Sequence, residues 1–518
     1  MLKIPCFICL LAAFSSDAVA QISPTAAARF LDQASWGASA DSINSVVWTG
    51  TGAWLQNQFN TPAVSDLPDQ NILSLLGNNN NDLRPVQAAF FQNTVQGTDQ
   101  LRQRVAFALS QIWVVSDFDV NYAYAFPPYW RVFRDNAFGN YRDLIREVTL
   151  NPAMGRYLNM ANNNKGNPAK GTSANENYGR ELLQLFTLGL TQLNLNGTPV
   201  IGANGQPVPT YDAAAVTGVA DALTGWTYPD TPGVTPRANN PQYFFGRMYA
   251  VQANHDTSEK HIFGGITIPA GQTAEQDLES VIDALMQQTT MAPFVSQQLI
   301  EHLVTSNPSA AYIQRVSSVF LNNGQGVRGD LKAVITAILM DPEARAGDNP
   351  SAPVDRNFGH LREPVLFISG VLRALNIGVS SFNTLYNDSS LESENLFYAP
   401  SVFSYFSPQF RIKGGLLGPE FQIYSTQTAK NRTDFVNNVV YHNLANLSPA
   451  DLTVLVDVGR LSPTGVSDYL SYLFLHNRMS AALRSAIASA VSPLTDPLQK
   501  AQAALYLVLT SGEYQIVQ

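Results

Sequence analysis

Apolar residues recur every three or four positions along much of this 518-residue chain, and this spacing constrains the possible folds more than any other feature. In the segment 99–115, Leu101, Val105, Leu109 and Ile112 fall on one face of a helix, which is the pattern of an amphipathic helix packed against a core. The same spacing predicts further helices over 176–188, 212–223, 273–285, 330–338, 361–376, 432–444, 464–475, 478–491 and 496–511.

Residues 195–270 have a different pattern. Asn196-Gly197 and Asn204-Gly205 are dipeptides typical of hairpin turns, and they flank a short Val200-Ile201 strand. Aromatic and β-branched runs follow over 242–268, starting with Tyr243-Phe244-Phe245. We therefore predict one large, mainly α-helical domain over 21–518, with a small β-hairpin insertion at about 195–270.

The N-terminal segment 1–20 has the pattern of a secretory signal peptide. Lys3 precedes an apolar stretch over 4–14, and Ala18-Val19-Ala20 forms a cleavage site of small residues before Gln21. The apolar stretch is shorter than the roughly 20 residues that cross a bilayer as a helix. We expect cleavage after Ala20, a periplasmic or extracellular location, and no membrane span after cleavage.

The two cysteines of the chain, Cys6 and Cys9, both lie in that segment. The mature chain therefore has no disulfide, thiol nucleophile or cysteine-ligated metal, although it enters an oxidising compartment. The net charge is −9 and no basic run occurs, so nucleic acid is not an expected partner.

Two familiar motifs match only in part. Residues 324–329 fit the glycine pattern of dinucleotide-binding loops, but a predicted helix precedes them where that motif needs a strand, so we interpret them as a helix–helix turn. Asp117, Asp119 and Asn121 open like a calcium-binding loop, but Tyr122 stands where such a loop needs glycine.

The segment 176–181 carries the first candidate site residues. Glu176 and Arg180 share the helix face opposite the apolar one, whereas Glu181 lies at the edge of the apolar face. The two glutamates are about 140° apart around the helix, which disfavours them as an acid–base pair. Glu181 is a catalytic candidate, and Glu176 and Arg180 are binding candidates. In the structural alternative, Glu176 and Arg180 form a surface ion pair and Glu181 makes a structural hydrogen bond.

His255, Asp256 and Lys260 form the second candidate group, in a predicted loop between strands. Asp256 would orient the His255 imidazole for proton transfer, or His255 would join a metal with carboxylates from elsewhere in the chain. The spacing fits no standard metal site, and we therefore predict no metal ligands. The structural alternative is a polar turn.

Arg362 and Trp226 are further binding candidates. Arg362 would hold a carboxylate, sulfate or phosphate with its planar guanidinium, or it would pair with Glu363 at the start of a helix. Trp226, with Trp113 and Trp130, would line a sugar-binding cleft, or the three would belong to the core.

Eight segments in order along the mature chain share their sequence with one bacterial family. They are Ala27–Ala34, Leu101–Ser110, Glu176–Gly189, Ala222–Trp226, His255-Asp256 with Lys260, Leu361–Pro364, Ala399–Phe403 and Pro419–Gln422. In these segments the chain resembles the family known as domain of unknown function 1800. The resemblance implies an exported bacterial protein, and a sulfatase-like secreted protein as a partner, but it implies no activity, cofactor or catalytic residue.

Two classes of function follow from these observations. The first is an envelope or extracellular hydrolase or lyase that acts on a polysaccharide, with Glu181, His255, Asp256 and Lys260 meeting in one pocket beside Trp226. The second is a non-catalytic envelope protein that binds a glycan or a protein, in which the same residues form a buried polar network. The sequence alone identifies no cofactor and does not decide whether the chain is an enzyme.

Overall fold

The computed structural model describes residues 22–69, 82–353, 355, 357–442, 444 and 446–518. Helices make up 54% of the chain, and the strands form only small two-stranded sheets. The predicted fold class, a mainly α-helical domain with small hairpins, is confirmed. The predicted signal segment, 1–20, lies outside the described residues.

The helices and strands of the described residues have the following bounds. The α-helices span Pro24–Ala34, Ala40–Thr49, Thr51–Asn60, Arg84–Gln96, Gln100–Ile112, Asp117–Val120, Phe126–Asn136, Tyr141–Thr149, Pro152–Tyr157, Asn177–Glu181, Ala213–Ala222, Ala274–Gln287, Met291–Leu303, Ala310–Leu321, Leu331–Met340, Pro342–Arg345, Pro364–Ala374, Leu385–Leu391, Thr426–Val440, Thr453–Leu461, Gly465–Phe474, Ala481–Val491 and Pro497–Thr510. The strands pair antiparallel as Trp226–Thr227 with Tyr249–Ala250, Lys260–His261 with Thr267–Ile268, and His360–Leu361 with Ile516–Val517.

Side-chain caps fix the starts of several helices where the sequence predicts them. Thr273 and Gln276 form a reciprocal capping box at the helix Ala274–Gln287. The carboxylates of Asp212 and Asp330 each accept a hydrogen bond from a backbone N–H in the first turn of the helix that follows. Each such cap stabilises its helix by about 1 kcal/mol.

One hydrophobic core joins the helices, and the helix Gln100–Ile112 runs through it with nearly every side chain buried. Trp113 and Trp130, two of the proposed sugar-cleft tryptophans, belong to this core and are 0% and 3% exposed. No helix in the part of the chain that the structure describes is both long and apolar enough to cross a membrane.

The helix predicted over 176–188 changes its winding partway. An α-helix spans Asn177–Glu181, and a π-helix continues over Leu182–Thr187. Phe186 stacks on Trp113 with ring centroids 4.3 Å apart, and the Phe186 carbonyl accepts a hydrogen bond from the Tyr141 hydroxyl at 2.7 Å. Such wide turns occur frequently at functional sites, and this one begins directly after Glu181.

The region 195–270 contains two of the three small sheets. The predicted strand at Val200-Ile201 makes isolated bridges rather than a named strand, and Gly197 and Gly205 take positive φ in the predicted turns. The run Tyr243-Phe244-Phe245, predicted as a strand, is irregular instead. Phe244 is fully buried against three tyrosine rings, so its packing in the core, not strand pairing, decides the local conformation.

Two glycines allow the segment 255–261 to lie directly on the helix Ala213–Ala222. A Cβ atom on Gly218 would lie 2.0 Å from the His261 carbonyl oxygen, and one on Gly225 would lie 3.0 Å from the His255 backbone nitrogen. Gly225 also has a φ of +89°, a backbone conformation that residues other than glycine rarely adopt. These close approaches bring the candidate residues of this segment against the helix.

Candidate functional site

His255 and Lys260 converge on a third side chain, Asp277, which lies in the first half of the helix Ala274–Gln287. The Lys260 ammonium lies 2.8 Å from Asp277 Oδ2, and His255 Nε2 lies 3.1 Å from the same oxygen. The other imidazole nitrogen, Nδ1, lies 3.0 Å from the carbonyl oxygen of Thr224, at the end of the neighbouring helix. The cluster therefore ties two helices to the segment 255–261.

This cluster is sealed from solvent. The side chains of His255 and Asp277 are 0% exposed and that of Lys260 is 1% exposed. Lys260 Nζ also donates to the carbonyl oxygens of Asp256 and Ser258, at 2.6 and 2.8 Å. A substrate has no access to these three side chains in this structure, and their contacts are those of a buried polar network that fixes the helices.

Asp256 lies at the edge of the cluster and is only partly buried. Burial raises the pKa of its carboxyl, but hydrogen bonds from Ser258 and the positive charge of Lys260 outweigh burial and lower the pKa. Its Oδ1 accepts from the backbone nitrogen of Ser258 at 2.8 Å. Asp256 therefore carries a stable negative charge that closes the turn.

Glu176 and Arg180 form the ion pair of the structural alternative. Arg180 Nη2 donates to Glu176 Oε2 at 2.7 Å, and the Thr217 hydroxyl donates to Glu176 Oε1 at 2.7 Å. The Arg180 side chain is 46% exposed and the Glu176 side chain is 37% exposed. An exposed pair of this kind contributes a few tenths of a kcal/mol to stability. Arg180 is thus at the surface with its charge compensated.

Glu181 is half-buried and lies in a different group of side chains. Its Oε2 is buried and has no hydrogen-bond partner among the described residues. Burial raises the pKa of its carboxyl, against the opposing effect of Arg180. Among the described residues, no hydrogen bond or ion pair connects Glu181 with His255 or Lys260.

The charge of Glu181 acts on the phenols of two tyrosines, Tyr157 and Tyr211. Burial raises the pKa of the Tyr157 phenol, and the negative charges of Asp119 and Glu181 raise it further. Burial and Glu181 act in the same way on the pKa of Tyr211. Asp119 is exposed, on the short helix Asp117–Val120. Glu181 and Asp119 therefore both act electrostatically on one phenol, with the Glu181 carboxyl half-buried and the Asp119 carboxyl in solvent.

Trp226 and Arg362 are both buried. Trp226 is 3% exposed and presents no ring face to solvent. Arg362 Nη2 donates to Asp32 Oδ2 at 2.6 Å, and the guanidinium lies 4.6 Å from the centre of the Tyr514 ring. His476 Nε2 lies 2.9 Å from the same Asp32 oxygen. Arg362 therefore has an internal partner for its charge.

A second polar cluster lies deeper, around Arg104. The carboxyl groups of Glu363 and Glu394 lie within hydrogen-bonding distance of one another, and burial raises the pKa of each. Gln111 donates to Glu363 Oε2 at 2.7 Å. Arg104 Nε and Nη1 are buried without hydrogen-bond partners among the described residues. Three charged residues from the segments that resemble the family meet here, namely Arg104, Glu363 and Glu420. All three are buried and have no opening to solvent.

The cavity beside the Arg104 cluster is too small for a substrate. A cavity of about 40 Å³, lined by Gln111, Tyr405 and aromatic side chains, has room for only a few water molecules. Within the described ranges, no group of three or more histidine or carboxylate side chains is arranged to hold a metal ion. Three more open clefts, of about 820, 590 and 290 Å³, are lined by other residues than Glu181. The buried, unpartnered oxygen of Glu181 makes the group around it a candidate for chemistry.

Sequence reasoning did not identify three of the residues that matter here. Asp277 lies 17 positions beyond Lys260 in a helix of ordinary amphipathic pattern, and nothing in its neighbours marks it as their partner. The sequence pattern assigns Asp119 only to an incomplete calcium loop, and it assigns no role to Tyr157. The available sign of Asp119 was its place in a short helix, two residues after the buried Asp117.

Comparison with known proteins gives one match. No curated protein and no solved structure matches the chain. A family model described as "Protein of unknown function (DUF1800)" matches residues 29–516, which is nearly the whole chain. The chain therefore belongs to the DUF1800 family, in agreement with the resemblance of its eight segments.

Proposed function

We propose that this chain is an exported glycoside hydrolase of the bacterial envelope or exterior, and that Glu181 is its proton donor. One observation carries the proposal: the Glu181 carboxyl is half-buried, has an unpartnered oxygen and a raised pKa, and its charge acts on the same phenol as that of the exposed Asp119. A half-buried carboxyl that holds its proton and a solvent-exposed carboxylate are the two groups that acid–base cleavage of glycosidic bonds uses.

The proposed reaction uses the two carboxyls in complementary protonation states. Glu181 gives its proton to the glycosidic oxygen as the bond between that oxygen and the anomeric carbon breaks. Asp119 takes a proton from the water molecule whose oxygen adds to the anomeric carbon. Tyr157, whose phenol feels the charges of both carboxyls, would orient the sugar hydroxyls by hydrogen bonds.

A second candidate function is a non-catalytic protein that binds a glycan or a secreted partner, such as a sulfatase-like protein. The sealing of His255 and Lys260 against Asp277 favours it, because two of the four residues predicted to be catalytic then serve the fold. His255, Asp256 and Lys260 remain catalytic candidates only if the segment 255–261 opens in solution. The two functions differ in whether Glu181 is needed for a reaction.

The experiment is a comparison of the wild-type mature chain with Glu181→Gln on a panel of neutral and anionic polysaccharides. We expect new reducing ends with the wild type, and a rate at least about 100-fold lower with Glu181→Gln, because glutamine cannot donate the proton. Ultraviolet absorbance of unsaturated sugars, measured on the same samples, would instead indicate a lyase.

The matched control is Glu275→Gln, an exposed glutamate in the first turn of a helix outside the site. It should retain the wild-type rate. Full activity of Glu181→Gln would remove the proposed acid. Binding of a polysaccharide without any cleavage would favour the second candidate function.

A further inference from the structure

A pair of exposed aromatic rings lies beside the proposed acid–base site. Phe118 is 67% exposed and Tyr398 is 40% exposed. Their ring centroids are 5.9 Å apart and their planes meet at 87°, so the pair is edge to face. We call these two rings the aromatic platform. Large apolar side chains grouped at a surface mark binding sites more often than isolated ones do.

The platform is held rigidly by the backbone beneath it. The Asp117 backbone nitrogen donates to the Phe397 carbonyl at 2.9 Å, and the Ser116 hydroxyl donates to the Ala399 carbonyl at 2.7 Å. These bonds join the segment that carries Phe118 to the loop that carries Tyr398. The rings therefore keep their relative position without a ligand, which reduces the entropy lost on binding.

The platform is continuous with the proposed site. Phe118 is adjacent in sequence to Asp119, on the helix Asp117–Val120. This helix packs against the helix Pro152–Tyr157, and the negative charges of Asp119 and Glu181 both act on the Tyr157 phenol. A chain-like ligand that reaches the two carboxyls would therefore extend across Phe118 and Tyr398.

The charges at this surface indicate an uncharged ligand. Asp119 and Glu181 carry or develop negative charge, and Arg180, the residue before Glu181, is compensated by Glu176 at 2.7 Å. The whole chain has a net charge of −9, so an anionic polymer would be repelled. Two rings also offer far less area than the roughly 1,200 Å² that a stable protein partner needs.

We propose that the aromatic platform of Phe118 and Tyr398 is a subsite that stacks the ring of an uncharged sugar in a glycan chain. The C–H face of a pyranose packs on an aromatic ring, and the adjacent Asp119 accepts hydrogen bonds from its hydroxyls. This inference rests on the proposed function for its position along the glycan, but its test measures binding alone.

The test is native affinity electrophoresis of the full mature chain in gels that contain xyloglucan, galactomannan, pullulan or hydroxyethyl cellulose, with alginate and polygalacturonate as anionic probes. We expect retardation by at least one neutral polymer and none by the anionic ones. Phe118→Ala/Tyr398→Ala should weaken the binding at least tenfold. Phe118→Tyr, which keeps a ring, should bind like the wild type.

Trp48→Ala is the control, because Trp48 is 73% exposed on a different helix, Ala40–Thr49. It should bind like the wild type. The inference is overturned if no neutral polymer retards the chain, if only anionic polymers do, or if the double variant binds normally. Glu181→Gln separates the two proposals: normal binding with unchanged cleavage would reject the acid role and leave the subsite intact.

Discussion

Replacement of Asp277 by asparagine is expected to lower the free energy of unfolding by about 3–5 kcal/mol, the cost typical of breaking a buried ion pair from one side. Asp277 is fully buried and is the carboxylate closest to the Lys260 ammonium, at 2.8 Å. Asp256 lies farther away, at 3.9 Å. Asparagine would leave the Lys260 charge in the core without its main partner. Urea unfolding followed by far-ultraviolet circular dichroism measures the change.

Asp283→Asn is the matched control for this variant. Asp283 lies in the same helix, is 56% exposed and pairs with Arg142 at 2.6 Å, so its replacement should cost less than about 1 kcal/mol. Equal, small losses in both variants would contradict the structural role of the buried cluster. An Asp277→Asn chain of normal stability that had lost activity would return His255 and Lys260 to the active centre.

The stability of the chain is expected to fall as the pH rises from 6.5 to 8.5. Burial, together with the proximity of Glu363, holds the pKa of Glu394 well above its usual range, and burial also raises the pKa of Glu420. The folded chain therefore keeps protons that the unfolded chain releases near pH 4.5. Each such carboxyl reduces the free energy of unfolding by about 1.4 kcal/mol for each pH unit between that value and its own raised pKa.

Two buried histidines have the opposite effect on the pH dependence of stability, but only at lower pH. Burial lowers the pKa of His302 and of His360 to about 3, so their contribution to stability grows between that value and about 6.5 and is constant above it. The carboxyls therefore determine the slope above pH 6.5. Over two pH units the expected loss is about 3 kcal/mol for each carboxyl that remains protonated.

Glu394→Gln tests the origin of this slope. Glutamine keeps an oxygen to accept the 2.8 Å hydrogen bond from the Val365 backbone nitrogen but binds no proton. Denaturant unfolding at pH 6.5, 7.5 and 8.5 should show a slope shallower by about 1.4 kcal/mol per pH unit than that of the wild type. A wild-type stability that is flat or rises over this range would contradict the prediction.

Local sequence patterns predicted the helices well because the features that define them are local. The capping box of Thr273 and Gln276 and the cap at Asp330 lie next to the turns they stabilise. The winding change at Leu182 was not predictable, because it accompanies contacts of Phe186 with Trp113 and Tyr141. Those partners lie far away in sequence.

In the candidate site, too, local features could be predicted from the sequence and long-range contacts could not. The neighbours His255, Asp256 and Lys260 were expected to act together, and the structure does bring them together, but around Asp277, whose sequence gives no sign of it. Glu181 was expected half-buried from its place at the edge of the apolar face, and it is. That Glu181 and Asp119 act on the same Tyr157 phenol depends on the packing of separate helices, which a single sequence does not reveal.

The most direct test of the acid role is the ionisation of Glu181 itself. A pH titration of ¹³Cδ-glutamate-labelled protein by NMR, with Glu181→Gln to assign the resonance, measures it without knowledge of the substrate. We predict that the resonance missing from the variant titrates above the ordinary glutamate pKa of 4.5. A resonance that titrates at or below that value would show an ordinary ionised carboxylate, and Glu181 would not be the proton donor.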